Sequence, residues 1–78
     1  MSVRRDDRGA IVLEGVCPVE DAEPLLRLLL GTPGAALDWT RASQLHTAVL
    51  QVILAAEIVP AEPCGDAWIG QWVGSRPA

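Results

Sequence analysis

The sequence predicts a small α/β domain: a mostly parallel or mixed sheet of three to four strands with about three helices. Two observations predict it. Short apolar runs rich in β-branched residues alternate along the chain with segments whose apolar residues recur at helical spacing. Strand and helix taken in turn are the pattern of a layered fold with largely parallel pairing. The chain has 78 residues, which allows one domain. A domain of that size buries only about 60% of the surface its unfolded chain exposes. Half of the residues are apolar, enough for a core with apolar surface left over for a partner.

The first strand is expected over Ala10-Ile11-Val12-Leu13-Glu14-Gly15. It lacks strict alternation, as a covered strand would. Pro18 breaks the chain, and Asp21 is placed to cap a helix over residues 22–30. Pro24 fits its first turn, where backbone N–H groups have no intrahelical partner. Ala22, Leu25, Leu26 and Leu29 form its apolar face, and Gly31 suits its end. A second strand is read over Ala35–Thr40, followed by a short linker, Arg41 to Gln44.

Leu45, Ala48, Val49, Val52, Ile53 and Ala56 then repeat at helical spacing, predicting a second helix over 46–57. Leu50, Leu54 and Ile58 form a second stripe beside the first, so this helix is buried on two sides or faces a partner. Ile58-Val59-Pro60-Ala61 reads as a third strand, held to an edge by its proline. Asp66 caps a last helix, Ala67 to Val73, on which Trp68 and Trp72 are neighbours. These tryptophans read as cover for the sheet, with an interface as the alternative. The domain is expected over residues 10–73, with flexible segments at 1–9 and 74–78. Its predicted core is Ile11, Leu13, Leu25, Leu29, Leu37, Ala48, Val49, Val52 and Ile53.

The formal net charge is −4, and all six basic residues are arginine. Arg4, Arg5 and Arg8 stand in the first ten residues, leaving the rest clearly acidic. Such a surface repels phosphate backbones, which argues against nucleic acid as a partner. No apolar run reaches the roughly 20 residues needed to span a bilayer, so no membrane insertion is expected. No signal-like run follows the start, and the expected compartment is the cytoplasm. Cys17 and Cys64 read as reduced thiols there, with a bridge between them as the minority alternative.

No enzymatic machinery is legible. The single histidine and two cysteines match no zinc pattern, and no Gly-rich phosphate loop is present. Neither metal nor cofactor is expected. Cys17 with His46 is the one conceivable nucleophile and base, and nothing marks the thiol as activated. Glu14 and Asp38, the carboxylates available for acid–base work, read as solvated strand-end residues.

The informative stretch is Leu37-Asp38-Trp39-Thr40, a short loop, then His46-Thr47-Ala48-Val49-Leu50 opening a helix. It resembles the STAS domain of anti-sigma-factor antagonists, whose apolar-Asp-Leu-Ser strand leads through a loop to Asp-Ser-Ser/Ala-Gly-Leu at a helix start. Leu13-Glu14-Gly15 with Val19, Ala22, Leu25 and Leu26 is similar to the family's earlier strand and first helix. The resemblance covers residues 10–56. At the family's aspartate and glycine positions this chain has His46 and Val49, and the family's extra N-terminal strand is not legible.

The resemblance implies a non-catalytic regulatory module that docks a protein partner through residues 40–54. By position, Thr47 is the implied phosphoacceptor, with Ser43 as the alternative. The alternative for both is a plain capping or first-turn role. Asp38, Thr40, His46, Thr47, Leu50 and Leu54 are the candidate partner-binding residues. The implied partner is a kinase-type anti-sigma factor. The alternative is the ATPase of a phospholipid-transport ABC complex, with this chain as its small STAS-type subunit. A homodimer or a hetero-complex through Leu50, Leu54 or the Trp68/Trp72 face is also expected.

Overall fold

The computed structural model describes residues 2–58, 60 and 62–73, the last two by their backbone alone. Its elements are β1 (Val3–Arg5), β2 (Ile11–Cys17), a 3₁₀ turn (Val19–Asp21), α1 (Ala22–Gly31), β3 (Leu37–Leu45), α2 (Thr47–Ala55) and α3 (Ala67–Val73). The sheet order is β1-β2-β3, with β1 antiparallel to β2 and β2 parallel to β3. Among the described residues the fold is therefore α/β with a three-stranded mixed sheet and three helices.

Residues 3–5 correct the expectation of a flexible start. Val3 pairs with Leu13 and is 1% exposed, so it belongs to the core. The turn that returns the chain is built locally. The Asp6 carboxylate accepts from the backbone N–H groups of Arg8 and Ala10, at 2.9 Å each. Gly9 takes a positive φ of 84°, which glycine adopts without steric cost. Arg4 closes the hairpin on its outer face with an ion pair to Glu14, 3.3 Å.

The second strand is longer than its sequence suggests. β3 runs from Leu37 to Leu45, so the predicted linker Arg41–Gln44 is strand and Ala35–Ala36 is not. Seven residues of β2 face nine of β3, and the register shifts twice to absorb the difference. The shifts fall between Val12 and Glu14 and between Gly15 and Val16. Each leaves β3 one extra residue and resets its alternation. The buried positions of β3 are accordingly Leu37, Trp39, Ala42 and Leu45.

Ile11, Leu13 and Cys17 of β2 join Leu25 of α1 and Val49 and Ile53 of α2 in one core. Leu29 and Val52 pack against it half-buried, and Ala48 is half-buried beside them. Asp21 does not cap α1 through its side chain. It has helical backbone angles, because the chain enters α1 from the 3₁₀ turn. Its carboxylate is buried instead and accepts from the Ser2 hydroxyl. α2 stops at Ala55, short of the predicted 57, and Glu57 turns the chain with a positive φ of 59°.

Among the described residues the predicted third strand is not seen. Ile58 and Pro60 lie outside the sheet, and Val59 and Ala61 lie outside the described residues, as does the predicted tail 74–78. The outer side of β3 is instead met by residues 62–66. The Trp39 indole N–H donates to the Glu62 carbonyl at 2.7 Å, and the Gly65 N–H donates to the Trp39 carbonyl at 2.9 Å. The Asp66 carboxylate accepts from the Leu45 N–H at 3.1 Å. Such a strap suits a segment whose prolines cannot donate to a ladder.

Gly65 makes this approach possible. A β-carbon there would collide with the backbone carbonyl oxygens of Thr40 and Ala42. Gly65→Ala is expected to push the strap off β3 at a cost of about 1–3 kcal/mol, read by urea denaturation. An unchanged midpoint would contradict the close approach.

Candidate functional site

The candidate residues gather where β2 and β3 end. Leu45 is the last residue of β3, and α2 begins at Thr47 with one residue between. His46 fills that gap, its backbone N–H, its carbonyl and its Nδ1 all engaged by the fold. Its N–H donates to the Cys17 carbonyl at 2.9 Å, and its carbonyl accepts from Val49 and Leu50 at 3.0 and 3.2 Å. Its Nδ1 accepts from the Ala48 N–H at 3.0 Å. His46 is therefore the N-cap of α2, the role sequence reasoning offered to Thr47 or Ser43.

Thr47 is the first residue of the helix and is exposed. Among the described residues its hydroxyl makes no hydrogen bond. It stands between two surface grooves. One, about 670 Å³, is lined by Ser43, Gln44, Thr47, Leu50, Trp68 and Ile69, among others. The other, about 350 Å³, is lined by Val16, Cys17, Pro18, Gln44, His46 and Thr47, among others. Ser43 and Thr47, the alternative acceptors, thus share one groove. Leu50 lies in it, and Leu54 continues the stripe one turn on, 52% exposed.

The rim of this surface is apolar. Val16 is 58% exposed and Trp68 67%. Trp68 corrects its reading as cover for the sheet. That place belongs to Ile69, 4% exposed and part of the core, and neighbouring helix positions point to different sides. The side chain of Trp72 lies outside the described residues. As its sequence position predicts, Asp66 caps α3, accepting from the N–H groups of Trp68 and Ile69 at 3.0 and 3.3 Å. Its second oxygen holds Leu45, so one carboxylate ties the start of α3 to the end of β3 and sets Trp68 beside Thr47's groove.

Asp38 and Thr40 are not brought to this surface. They stand in the first half of β3, with roughly 20 Å of strand between Asp38 and Leu45. The Asp38 carboxylate is used locally. It accepts from the Thr40 hydroxyl at 2.7 Å and from the Thr40 N–H at 3.0 Å. These bonds, the hydroxyl first, hold its carboxyl below the ordinary carboxylate range, helped by Arg41 and Arg4. Glu14 is likewise occupied by Arg4.

Cys17 and Cys64 are both buried free thiols. Burial pushes both thiols up, reinforced for Cys17 by the nearby Asp21 charge and for Cys64 by Asp66. A thiol shifted that way is protonated and unreactive at neutral pH. His46 has its Nδ1 committed to Ala48, and its backbone, not its imidazole, meets Cys17.

Gln44 and Val16 are the surface residues sequence reasoning missed, while Trp68 was offered as an interface residue in the alternative to sheet cover. The available signal for the two missed residues was their position near the ends of the strands that lead to Thr47. No helix among the described residues is long and apolar enough to cross a membrane. Comparison with protein-family models, curated proteins and solved structures gives no match to this chain.

Proposed function

We propose that this chain is a non-catalytic docking module of the anti-sigma-factor-antagonist kind, working in the cytoplasm. The partner is a protein, of the kinase-type anti-sigma class, and it docks on the end of the sheet where β3 meets α2. The observation that carries the reading is Thr47: an exposed hydroxyl at the start of α2, beside a groove rimmed by exposed Trp68. Exposed apolar side chains at one end of a small domain are the chemistry of a protein contact. Val16, Leu50 and Trp68 supply apolar anchors, and Ser43, Gln44 and Thr47 supply polar contacts.

The STAS resemblance supports the same reading, now with an N-terminal strand that the sequence had not made legible. A phosphate on Thr47 would bring about −1.5 to −2 charges into the middle of this surface. The start of α2 tolerates it, since a helix N-terminus favours negative charge. Docking then fails by repulsion and desolvation at the interface, with the domain still folded.

Thr47→Glu and Thr47→Ala test this. Because His46 makes the cap, Thr47→Ala is expected to shift stability by less than about 0.5 kcal/mol. The alanine variant retains the partner in affinity capture from the native cells, and the glutamate variant loses it. Both melt near wild type. Equal capture by both variants would remove the switch. Capture of an ABC ATPase, unaffected by Thr47→Glu, would favour a constitutive transporter subunit in its place.

A further inference from the structure

Helix caps are usually made by Ser, Thr, Asp or Asn, whose oxygens accept at any pH near neutral. α2 is capped instead by an imidazole nitrogen. Only an imidazole with Nδ1 unprotonated can accept the Ala48 N–H; the cation donates from both nitrogens. From this geometry we infer that His46 is a proton-sensitive clasp: neutral, it fixes the first turn of α2, and protonated, it releases that turn.

Both consequences of protonation run the same way. The Ala48 N–H loses its acceptor, and a positive charge is placed at the positive end of the helix. The neighbouring elements offer little to hold the cation. Cys17, at the end of β2, is a protonated thiol. On the 3₁₀ turn, Asp21 is engaged by the Ser2 hydroxyl and Glu20 is exposed to solvent. Ahead of α3, Asp66 is engaged by Leu45, Trp68 and Ile69. Among the described residues the imidazole has one hydrogen bond, the one that protonation breaks.

The rest of His46 transmits the change. Its carbonyl receives the first two bonds of α2, and its N–H ties the helix start to Cys17. The turn that loosens contains Thr47 and Ala48. Histidine is the side chain whose charge change falls between about pH 5 and 8, so that range is where the clasp is tested. The device is a property of the fold and stands whether or not the docking reading does.

The test compares the full chain with His46→Asn, whose side-chain oxygen caps without titrating. Urea unfolding is followed at pH 7.5 and pH 5.0, and the Ala48 amide is followed by ¹H–¹⁵N NMR across that range. The folded-to-unfolded ratio of the wild type is expected to fall about fivefold more than that of the variant on acidification, the size of one lost cap. Carboxylate effects are common to both proteins and cancel. The Ala48 amide signal moves with the histidine in the wild type. Parallel pH dependence of the two proteins, or an Ala48 amide unmoved while the imidazole titrates, would overturn the inference.

Discussion

Trp39→Ala is expected to remove about 3–5 kcal/mol, a large share of the domain's stability. Trp39 is 1% exposed and is the largest side chain of the core. Truncating a buried tryptophan costs about 3–5 kcal/mol. A chain of this length has about 4–12 kcal/mol in total. The loss is not one of packing alone. The Trp39 indole N–H also donates to Glu62, so its removal frees the segment that carries Cys64, Gly65 and Asp66 onto β3. Trp39→Phe separates the two contributions. It keeps most of the ring and drops the hydrogen bond, and is expected to cost about 1–3 kcal/mol. Urea denaturation followed by circular dichroism reads both. A wild-type midpoint for the alanine variant would contradict the placement of Trp39 inside the core.

The second large effect is a contrast between neighbours. Ile53→Ala is expected to cost about 2–5 kcal/mol, because Ile53 is 1% exposed and packs among β2 and α1 residues. Val52→Ala is expected to cost about 1 kcal/mol, since Val52 is only half-buried against that core. The periodicity of the sequence could not rank the two, because α2 is apolar on nearly every side. Its angular position on the sheet ranks them. Paired denaturation curves check the order, and a larger loss at Val52 would mean that α2 is rotated about its axis.

The elements legible in the sequence are those with an undisturbed period or a local signal. α1 and α2 follow from their leucine, valine and isoleucine spacing, and α3 follows from Asp66 as a cap. β2 follows from its β-branched run. β3 was read too short because two bulges break its alternation after Trp39, so Ala42 and Leu45 fall at intervals of three. β1 was missed because three residues carry too little pattern. The Asp6-to-Gly9 turn was its only local signal, and charge made it look like a solvated end. The expected third strand was a short apolar run with no partner to specify it. Pro60 and Pro63 leave that side of the sheet to a strap with few bonds.

The candidate site divides in the same way. Thr47 at a helix start, next to Leu50, followed from local spacing. Its neighbours did not, because Trp68 is 21 positions along the chain and reaches the groove only through the two-ended grip of Asp66. Asp38 and Thr40 were grouped with Thr47 by the strand-loop-helix resemblance. An extended strand carries residues apart faster than any other element, so the grouping did not survive folding. His46 was read as a first-turn residue. Its capping role depends on a side-chain angle that sequence does not carry.

The most direct measurement on the central claim is a hydrogen-exchange footprint of the chain alone and with the protein captured from its native cells. Docking on the end of the sheet predicts slower exchange in residues 43–50 and 66–69, with α1 unchanged. Protection confined to α1 and the far end of α2, around Leu26, Leu30 and Ala55, with residues 43–50 exchanging as in the free chain, would contradict it.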